Sequence, residues 1–401
     1  MKSQAAFFFG SGISFASEMP SVQEITASAL SGDWHFNSVG RFYAGLNPNP
    51  LIPDNITPIV TKFLSKVADC AADYRAELAR PGSGSKPHYE DLFSLAEQAA
   101  RAETDHVPNL ATVEFLRRLR RDTASLHCGY KGGPSGLDGF VGLATDTCEF
   151  LHWVVDAKLR TGGSTRQGLG VISKTAMAVD ELDIFTLNHD TLVEQQLMDD
   201  GISEVETGFD DRTHGQFSVY SSRWWKSTTA HRKRVRLLKL HGSLNWWLFE
   251  FPNWNGGTRQ YAIPDGDPDH SKDETGHIVR PISWKAAFLS GTIVKELRYG
   301  LGFWGEQIEV FRESLAKHSH LICCGYGFGD SGINLRIDQW MHDRPDPGNR
   351  LVILTPDDPD EWIQDKPFWL IRHYQANHVL FVPKYLSDCD TEDLKPFFDP
   401  L

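Results

Sequence analysis

The chain has 401 residues, of which 40% are hydrophobic and 23% are charged, and its formal net charge is -13. This length and composition predict a globular protein with a large buried core rather than a disordered chain. The negative balance argues against general attraction to nucleic acid or to anionic lipid. No apolar run reaches the ~18 residues that a membrane span requires, so no membrane location is expected.

The first residues are basic and then apolar, but Gly10 and Gly12 interrupt the apolar run too early for a secretory signal peptide. We predict that the first residues form a buried strand instead.

The six cysteines form no Cys-x-x-Cys pair. This disfavours a structural zinc module and suits the free thiols of a reducing cytoplasm, so we expect a cytoplasmic protein with no metal.

The first half of the chain is predicted to be mainly helical. A strand over 5–9 is followed by a tight turn over 10–14 and a helix over 23–30, and the Gly, Asn and Pro of 31–50 predict a loop. Apolar residues at helical spacing then predict helices over 56–78, 89–101, 110–126 and 136–159, with a break over 80–87. Residues 51–180 are therefore predicted to form a mainly helical insertion subdomain.

From residue 181 onward, predicted strands and helices alternate. Strands are predicted over 182–187, 237–240, 320–324, 351–355 and 378–382, and helices over 191–198, 304–315 and 333–340. Residues 252–280 are rich in Pro, Gly, Asp and Asn and predict a long mobile loop. The alternation predicts an α/β fold, a Rossmann-like parallel sheet with helices on both faces, formed by residues 1–50 and 181–401.

Four short segments, 7–14, 186–190, 239–243 and 324–330, each stand where an apolar run meets a loop. The carboxyl ends of parallel strands lie along one edge of a sheet, and the ligands of open α/β sheets bind at that edge. Four glycine-rich or polar strand ends therefore predict one crevice, and the residues in it suit a nucleotide.

The first of these segments carries Gly10-Ser11-Gly12 between a predicted strand and a predicted helix. Glycines at such a turn let the backbone approach a pyrophosphate, and a helix N-terminus favours its negative charge. The third glycine of the dinucleotide-binding motif is missing, since Glu18 stands near its place. The alternative interpretation is a tight turn between a strand and a helix, without a ligand.

Asn188 and Asp190 follow the strand predicted over 182–187. A short amide and a carboxylate at a strand end are suited to hold ribose hydroxyls or to position a water. Asp190 also stands where it would cap the next helix, and the two interpretations are compatible.

His241 follows another predicted strand and precedes Gly242 and Ser243, which let a ligand come close. Histidine titrates near neutral pH and is the commonest general base, so His241 is the candidate for acid–base chemistry. The chain has 16 histidines, and this one is singled out by its place among the other strand ends.

In the last segment, 324–330, three glycines alternate with two aromatic residues, and Asp330 follows them. Gly325 and Gly327 would leave an open backbone, and the aromatic rings offer faces for stacking. Asn334, one turn along the next predicted helix, would face the same crevice. The alternative interpretation is a flexible loop with packed aromatic side chains.

Two charged clusters receive structural interpretations. The basic run over 232–236, close to Trp224 and Trp225, predicts a solvated edge beside a strand rather than a nucleic-acid patch, because the net charge of -13 opposes one. The acidic residues over 265–270 lack the glycine and glutamate spacing of a calcium loop and predict disordered surface. Direct binding of nucleic acid is therefore not expected.

Taken together, the four segments resemble the sirtuin family. Sirtuins carry Gly-Ala-Gly-Ile-Ser after the first strand, and this chain has Gly-Ser-Gly-Ile-Ser over 10–14. Their Thr-Gln-Asn-Ile-Asp corresponds to Thr-Leu-Asn-His-Asp over 186–190, and their catalytic histidine, which precedes Gly-Ser or a similar pair, corresponds to His241. A late glycine-rich motif near the adenine ribose is similar to 325–329, so the matches keep the family's order.

The departures from the family pattern favour one branch of it. Protein-deacylating sirtuins hold a zinc ribbon with two Cys-x-x-Cys pairs and continue the first motif with Gly-Ile-Pro-Asp-Phe-Arg. This chain has no such pair and reads Glu-Met-Pro-Ser-Val-Gln over 18–23. Its helical insertion and its late glycine–aromatic motif with Asn334 are similar to the divergent sirtuin-like domains of bacterial antiphage defence. That resemblance implies an NAD+ glycohydrolase whose substrate NAD is cleaved to nicotinamide and ADP-ribose, depleting the cell of NAD.

The resemblance also implies roles for single residues. His241 would act as a base, and Asn188 would bind near the nicotinamide ribose and orient a water. The diphosphate would be bound by Gly10, Ser11, Gly12 and Ser14, and the ribose or nicotinamide by Asp190. Gly242 and Ser243 would contact the ligand beside His241. The adenosine would be bound by Gly325, Gly327, Asp330 and Asn334.

Several members of that branch work as oligomers, and some pair with a HerA-type ATPase or a short Argonaute. The resemblance therefore implies a homo-oligomer with a partner of this kind. Two other functions stay open at this point. One is an NAD-dependent protein deacylase that uses the same NAD site, and the other is a non-catalytic subunit that senses NAD or ADP-ribose.

Overall fold

The computed structural model of the chain describes residues 3–37, 40–45, 54–78, 87–102, 109–163, 165–209, 214–226, 233–251, 258–283, 285–291, 294–343 and 348–400. Parts of several predicted features lie outside the described residues. Among them are residues 38–39 and 46–50 of the loop predicted over 31–50, most of the break predicted over 80–87, Arg232 of the basic run, and residues 252–257 at the start of the predicted mobile loop.

Helices fill most of the described chain over 57–178, and strands and helices both occur before and after this stretch. The strands are β1 (Ser3–Phe9), β2 (Trp34–Phe36), β3 (Phe42–Ala44), β4 (Glu181–Thr186), β5 (Val205–Glu206), β6 (Phe217–Val219), β7 (Arg234–Lys239), β8 (Trp247–Phe251), β9 (Thr258–Pro264), β10 (His320–Cys324), β11 (Arg350–Leu354), β12 (Val379–Val382) and β13 (Asp399–Pro400). The helices are α1 (Val22–Leu30), α2 (Thr57–Leu78), α3 (Tyr89–Arg101), α4 (Val113–Asp122), α5 (Ala124–His127), α6 (Gly139–Thr161), α7 (Gly170–Ala178), α8 (Leu192–Asp199), α9 (Val294–Arg298), α10 (Gly302–Leu315), α11 (Ser331–His342), α12 (Pro359–Trp362), α13 (Phe368–Gln375) and α14 (Thr391–Leu394). Within the described stretches, no helix combines the length and hydropathy of a transmembrane span.

A central sheet with the strand order β12-β11-β10-β1-β4-β7-β5 organises much of the fold, and β13 pairs with β1 beside this path. Neighbouring strands along that order are parallel, whereas β13 is antiparallel to β1. Phe7, Phe8 and Phe9 of β1 are fully buried, which is the continuous apolar pattern of a parallel strand covered on both faces. The predicted α/β fold, a Rossmann-like parallel sheet flanked by helices, is confirmed.

The pairing register places four strand ends at one edge of this sheet. Phe9 of β1 pairs with Cys324 of β10 and with Thr186 of β4, and Thr186 pairs with Lys239 of β7. The strand order also reverses beside β1, because β4 and β7 lie on one side of it and β10, β11 and β12 lie on the other. The crevice outside the carboxyl ends at such a reversal is where open α/β sheets bind ligands.

The chain folds into two compact units. The first unit consists of Met1–Met19, Gly162–Leu289 and Glu296–Leu401, and it contains the whole central sheet. The second unit consists of Pro20–Thr161 and Ser290–Lys295. The insertion predicted over 51–180 overlaps the second unit, and its boundaries stay a prediction.

The second unit has an aromatic core of its own. In it α3 packs against α6, and α2 packs on α6 as well. The Phe150 ring of α6 contacts Trp34 and Phe42 edge-on, with ring centroids 5.9 and 5.0 Å away. These two residues belong to β2 and β3, an antiparallel pair inside the loop predicted over 31–50. The loop prediction is wrong there, because aromatic packing against α6 outweighs a local composition typical of turns.

The mobile loop predicted over 252–280 is wrong over 258–264, where a strand forms. β9 lies within it and pairs antiparallel with both β8 and β6. Phe217 of β6 packs against Phe249 and Phe251 of β8, with ring centroids 4.7 and 5.2 Å away. Further along, Asp267 accepts a hydrogen bond from Asp269 N and also contacts the imidazole of His270. The acidic cluster therefore forms a hydrogen-bonded turn rather than disordered surface.

The basic run over 232–236 is solvent-exposed only at its start, since Lys233 is exposed just before β7 whereas Arg236 within β7 is buried, so the predicted solvated edge is wrong at Arg236. Arg236 of β7 is 2% exposed, and its guanidinium donates two hydrogen bonds to the carboxylate of Asp183 in β4. His318 lies 2.9 Å from the same carboxylate. Burial acts to raise the pKa of Asp183, but the His318 hydrogen bond and the Arg236 charge hold the pKa below its usual value.

Replacing Arg236 with methionine is expected to lower the free energy of unfolding by about 3–5 kcal/mol, because the Asp183 carboxylate would stay buried without its guanidinium partner. Urea denaturation at neutral pH measures this change. Arg117→Met is the matched control, since Arg117 and Glu114 form an ion pair whose side chains are 70% and 69% exposed. Loss of such an exposed pair is expected to change stability by only about 0–1 kcal/mol. Equal losses for the two variants would contradict the role assigned to Arg236.

Candidate active site

The loop after β1 packs directly against the loop after β10. Gly10 N donates to Cys324 O at 3.1 Å, and Gly12 N donates to Gly325 O at 3.0 Å. A Cβ at Gly10 would lie 2.5 Å from Gly325 O, and a Cβ at Gly12 would lie 2.6 Å from Gly325 Cα. Both glycines are therefore needed for this close approach. Their N–H groups are bonded to carbonyls at the end of β10 and in the loop that follows it, and contact with a diphosphate stays a prediction.

The tight turn predicted over 10–14 is a 3-10 turn, Ser11–Ser17, in which Ser11 is exposed and Ser14 is buried. It ends at Glu18, which adopts the left-handed conformation with a φ of 61°. α1 begins only after this turn. No α-helix starts directly behind Gly12, so the expected attraction of phosphate to an α-helix N-terminus does not apply at this turn.

Ser14, Asn188 and Asp190 form a buried polar cluster that joins the ends of β1 and β4. Asn188 Nδ2 donates to Ser14 Oγ at 3.0 Å, and Ser14 Oγ donates to Asp190 Oδ2 at 3.1 Å. The three residues are 3%, 8% and 8% exposed. Asp190 Oδ1 also accepts from Leu192 N at 3.1 Å, so it supports the start of α8 although Thr191 is the cap residue. The sequence predicted these residues at one edge of the sheet, and the structure joins them by hydrogen bonds.

Lys239 is a further member of this edge that the sequence analysis missed. It is the last residue of β7, and its ammonium lies 2.8 Å from Glu194 Oε1 and donates to Asp190 O. Its side chain is 3% exposed. A lysine at the end of an apolar run could have predicted a buried ion pair at this strand end, because lysines are almost never fully buried unless they are paired.

His241 lies in a tight turn directly after β7. Gly242 has a φ of 85°, and a Cβ there would lie 2.3 Å from Ala287 O, so the turn requires glycine. Leu289 N donates to His241 O at 2.8 Å, and Ser243 N donates to Ala287 O at 3.1 Å. Gly242 and Ser243 thus hold the His241 backbone against a neighbouring segment, and their contact with a ligand stays a prediction.

The His241 imidazole makes two short buried contacts. Its Nε2 lies 2.6 Å from Tyr299 OH and 3.0 Å from Asp330 Oδ2. Tyr299 OH donates to Asp330 Oδ2 at 2.6 Å, and Asp330 Oδ1 accepts from Ile333 N at 2.9 Å at the start of α11. The structure places Asp330 against His241, and its predicted contact with adenosine stays a prediction. Tyr299 had no sequence signal, since no glycine-rich or strand pattern surrounds it.

Asn334 braces the loop after β10. Its Nδ2 donates to Phe328 O at 2.8 Å, and Tyr326 OH donates to its Oδ1 at 2.9 Å. Tyr326 and Phe328 are 9% and 3% exposed, and their ring centroids are 4.6 Å apart. The two rings are therefore packed, as in the alternative interpretation of this loop, and contact of Asn334 with adenosine stays a prediction.

A cavity of about 590 Å³ opens at the carboxyl ends of β1, β10 and β11. Its lining includes three residues predicted from the sequence, Gly12, Gly325 and Gly327. Phe15 and Trp362 add aromatic surface, and Lys366 Nζ lies 4.5 Å from the centroid of the Trp362 ring. A cavity of this size suits a nucleoside-sized ligand. Asn188 and His241 do not line it, so the cavity and the polar cluster are neighbouring parts of one sheet edge.

Cys324 lines the same cavity but is not a candidate nucleophile. Burial raises the pKa of its thiol to about 12. The thiolate is the reactive form, so this residue is inert at neutral pH.

Among the described residues, Asp338, His342 and His373 bring donor atoms within 4.8 Å of one another, the spacing a metal ion would require. His373 Nε2 lies 2.9 Å from Asp338 Oδ1, and His342 Nδ1 lies 3.4 Å from it. The cluster joins α11 to α13 at the opposite end of α11 from Asp330. Hydrogen-bonded His–Asp pairs account for these contacts, and the expectation that the protein uses no metal stays a prediction.

Residues 183–377 match a family model described as a SIR2-like domain. This stretch includes Asn188, His241 and Asp330, whereas Gly10 and Gly12 precede it. No curated protein matches the chain. This part of the chain, which contains β4, β7, β10 and β11 of the parallel sheet, is therefore similar to a SIR2-like domain.

Two solved structures are similar to the chain at low identity. One is a Sir2 homologue in complex with NAD, with 12% identity, coverage of 98% of this chain and 90% of that chain, and a TM-score of 0.34. The other is a serine-to-alanine mutant of a Sir2 homologue in complex with ADP-ribose, with 13% identity, coverage of 94% and 93%, and a TM-score of 0.30. At these TM-scores neither structure transfers a ligand or an activity to this chain.

Gly10→Ala is expected to lower the free energy of unfolding by about 1–3 kcal/mol, because overpacking forces backbone shifts. The added Cβ would lie 2.5 Å from Gly325 O and push the two loops apart. Gly327→Ala is the matched control, since a Cβ there meets no atom within 4 Å. Urea denaturation of both variants tests the prediction. A Gly10 variant as stable as the Gly327 variant would show that the close approach is not required.

Proposed function

We propose that this chain is an NAD+ glycohydrolase that cleaves the nicotinamide–ribose bond of NAD with water. The observation that carries the proposal is the convergence of Asn188, Asp190 and His241 at the adjacent ends of β4 and β7, inside the SIR2-like match. An amide, a carboxylate and an imidazole are the groups needed to hold a ribose and to move a proton.

The proposed substrate would span both parts of the sheet edge. The cavity beside β10 and β11 would take the adenosine half, since its volume and the Phe15 and Trp362 rings suit a base and its ribose. The nicotinamide ribose would lie at the cluster of Ser14, Asn188 and Asp190 on the other side of β1. The diphosphate would then cross the loops that follow β1 and β10.

In the proposed reaction, the bond between C1′ of the ribose and the nicotinamide nitrogen breaks, and its electron pair leaves with nicotinamide. The oxygen of a water bonds to C1′, and His241 takes a proton from that water. NAD+ and water thus give nicotinamide, ADP-ribose and one proton.

Asn188 is suited to position the attacking water. Its Nδ2 is held by Ser14 Oγ at 3.0 Å. No described residue donates a hydrogen bond to its Oδ1, so this oxygen can accept one from the water or from a ribose hydroxyl. A side chain fixed at its nitrogen and open at its oxygen orients a small donor with little loss of entropy.

A second candidate function is a non-catalytic subunit that binds NAD or ADP-ribose. One observation favours it: His241 Nε2 already contacts Tyr299 and Asp330, as in a cluster that serves packing alone. This function predicts saturable binding of ADP-ribose with no turnover under any activating condition. A protein deacylase, in contrast, would form O-acetyl-ADP-ribose from an acetyl-lysine peptide.

The biological part of the proposal is an antiphage role in the cytoplasm, in which the chain depletes cellular NAD. Its support is the motif resemblance in the sequence, which also implies a homo-oligomer and a HerA-type ATPase or short Argonaute as partner. Light scattering on the purified protein tests the oligomer. Genes for either partner beside the gene for this chain would support the pairing.

His241→Gln and Asn188→Ala are each expected to lower kcat for NAD hydrolysis by about 10²–10⁴-fold, because each removes a group that acts on the reacting water or ribose. Release of nicotinamide, followed by chromatography with and without the candidate partner, measures the effect. His270→Gln is the matched control, since the His270 side chain is 72% exposed and pairs only with an exposed aspartate in the described turn.

Two outcomes of this experiment would count against the proposal. Unchanged turnover in both variants would remove Asn188 and His241 from the mechanism. A wild-type protein that binds ADP-ribose but never releases nicotinamide would support the non-catalytic candidate instead.

Phe15→Ala is expected to raise KM for NAD roughly 10-fold and to leave kcat unchanged, because stacking of a base on an aromatic ring contributes about 1–3 kcal/mol. Phe15 lines the cavity and is 57% exposed, so its loss removes little packing. Phe368→Ala is the matched control, since Phe368 is 75% exposed and does not line the cavity. Steady-state kinetics on the two variants decides the point, and an equal KM in both would place the adenosine half elsewhere.

A further inference from the structure

We propose that Asp330 and Tyr299 are positioning residues for His241, which hold its ring as the Nε2–H tautomer and leave Nδ1 as the basic nitrogen. The catalytic meaning of this inference rests on the proposed function. Its basis is a triangle of polar atoms, His241 Nε2, Tyr299 OH and Asp330 Oδ2, with separations of 2.6, 2.6 and 3.0 Å. The three residues are 3%, 3% and 9% exposed.

The tautomer follows from the number of protons in the triangle. The single hydroxyl proton of Tyr299 is donated to Asp330 Oδ2. The phenolic oxygen and the carboxylate oxygen both then face Nε2 as acceptors. Contacts of 2.6 and 3.0 Å to two acceptors are favourable only when Nε2 carries a proton. In a neutral imidazole the other nitrogen, Nδ1, is then the one that accepts a proton.

Asp330 is placed to carry a negative charge beside the imidazole. Its Oδ1 accepts from Ile333 N in the first turn of α11, a helix of 12 residues whose N-terminus favours negative charge. Its Oδ2 accepts from Tyr299. When His241 Nδ1 takes a proton, this carboxylate stabilises the imidazolium that forms, as a buried aspartate does for a catalytic histidine.

The first turns of α11 fix both partners of His241. Asp330 is the cap residue of that helix. The Tyr299 ring packs on it so closely that a Cβ at Gly332 would lie 2.6 Å from a ring atom, and the Arg336 guanidinium lies 5.5 Å from the ring centroid. Because Asp330 directly follows the loop that lines the cavity, the orientation of His241 depends on that loop.

The competing explanation is that Asp330 only caps α11. Asp330→Asn separates the two roles, because asparagine caps a helix about as well as aspartate but carries no charge. Its amide can also donate to Nε2, which would place the ring proton on Nδ1 and remove the base. We expect kcat to fall by about 10²–10⁴-fold, as for other histidines forced into the wrong tautomer. KM for NAD and the thermal midpoint should stay close to the wild-type values.

The chain offers a matched control for the loss of a capping aspartate. Asp358 caps α12, where its Oδ1 accepts from Asp360 N at 3.0 Å and from Glu361 N at 3.2 Å. Asp358→Asn should leave kcat unchanged. Tyr299→Phe removes only the bridging hydroxyl and should lower kcat by about 10-fold, the equivalent of one hydrogen bond of ~1.4 kcal/mol. Equal turnover in the Asp330 and Asp358 variants would overturn the positioning role.

Long-range 1H–15N correlation spectra of the histidine rings test the tautomer without any turnover. The His241 signals are assigned by their loss in His241→Gln. The inference requires a protonated Nε2 in the wild type and a shift of the proton to Nδ1 in Asp330→Asn. A wild-type His241 protonated at Nδ1 would overturn it whether or not the protein hydrolyses NAD. Absence of NAD hydrolysis in a wild type with the expected tautomer would instead overturn the proposed function alone.

Discussion

Parallel pairing of β10, β1, β4 and β7 in register is the constraint on which the candidate site depends. Phe9 pairs with both Cys324 and Thr186, so loops from distant parts of the chain begin at one level. A slip by one residue would turn every side chain to the opposite face of the sheet. Asp183 and Arg236 are direct partners across β4 and β7, and a slipped register would leave both charges buried without each other. The buried ion pair thus protects the register that assembles the site.

The same edge shows why a glycine-rich turn is not by itself a phosphate site. Gly10 and Gly12 have their N–H groups bonded to carbonyls at the end of β10 and in the loop after it, and a 3-10 turn begins directly after Gly10. Their lack of a side chain serves the contact between two loops. The better candidates for ligand recognition at this edge are therefore side chains around the cavity, where Phe15 and Trp362 offer apolar surface and Lys366 offers positive charge.

Sequence patterns predicted what depends on local chemistry and missed what depends on distant partners. The buried strands and the polar residues that follow them could be found, because each strand is a continuous apolar run that ends in glycine or a polar side chain. β9 could not, because its stability comes from pairing with β6 and β8 rather than from its own composition. The role of Asp330 depends on Tyr299, 31 residues earlier in a segment without a pattern, and on His241 from another strand end.

The site is divided by β1, with a cavity on the side of β10 and β11 and buried polar clusters on the side of β4 and β7. In those clusters Asn188 is held by Ser14, and His241 is held by Asp330, so a ligand meets groups that are already ordered. One loop serves both sides, because Gly325 lines the cavity and Asp330, five residues later, contacts the imidazole.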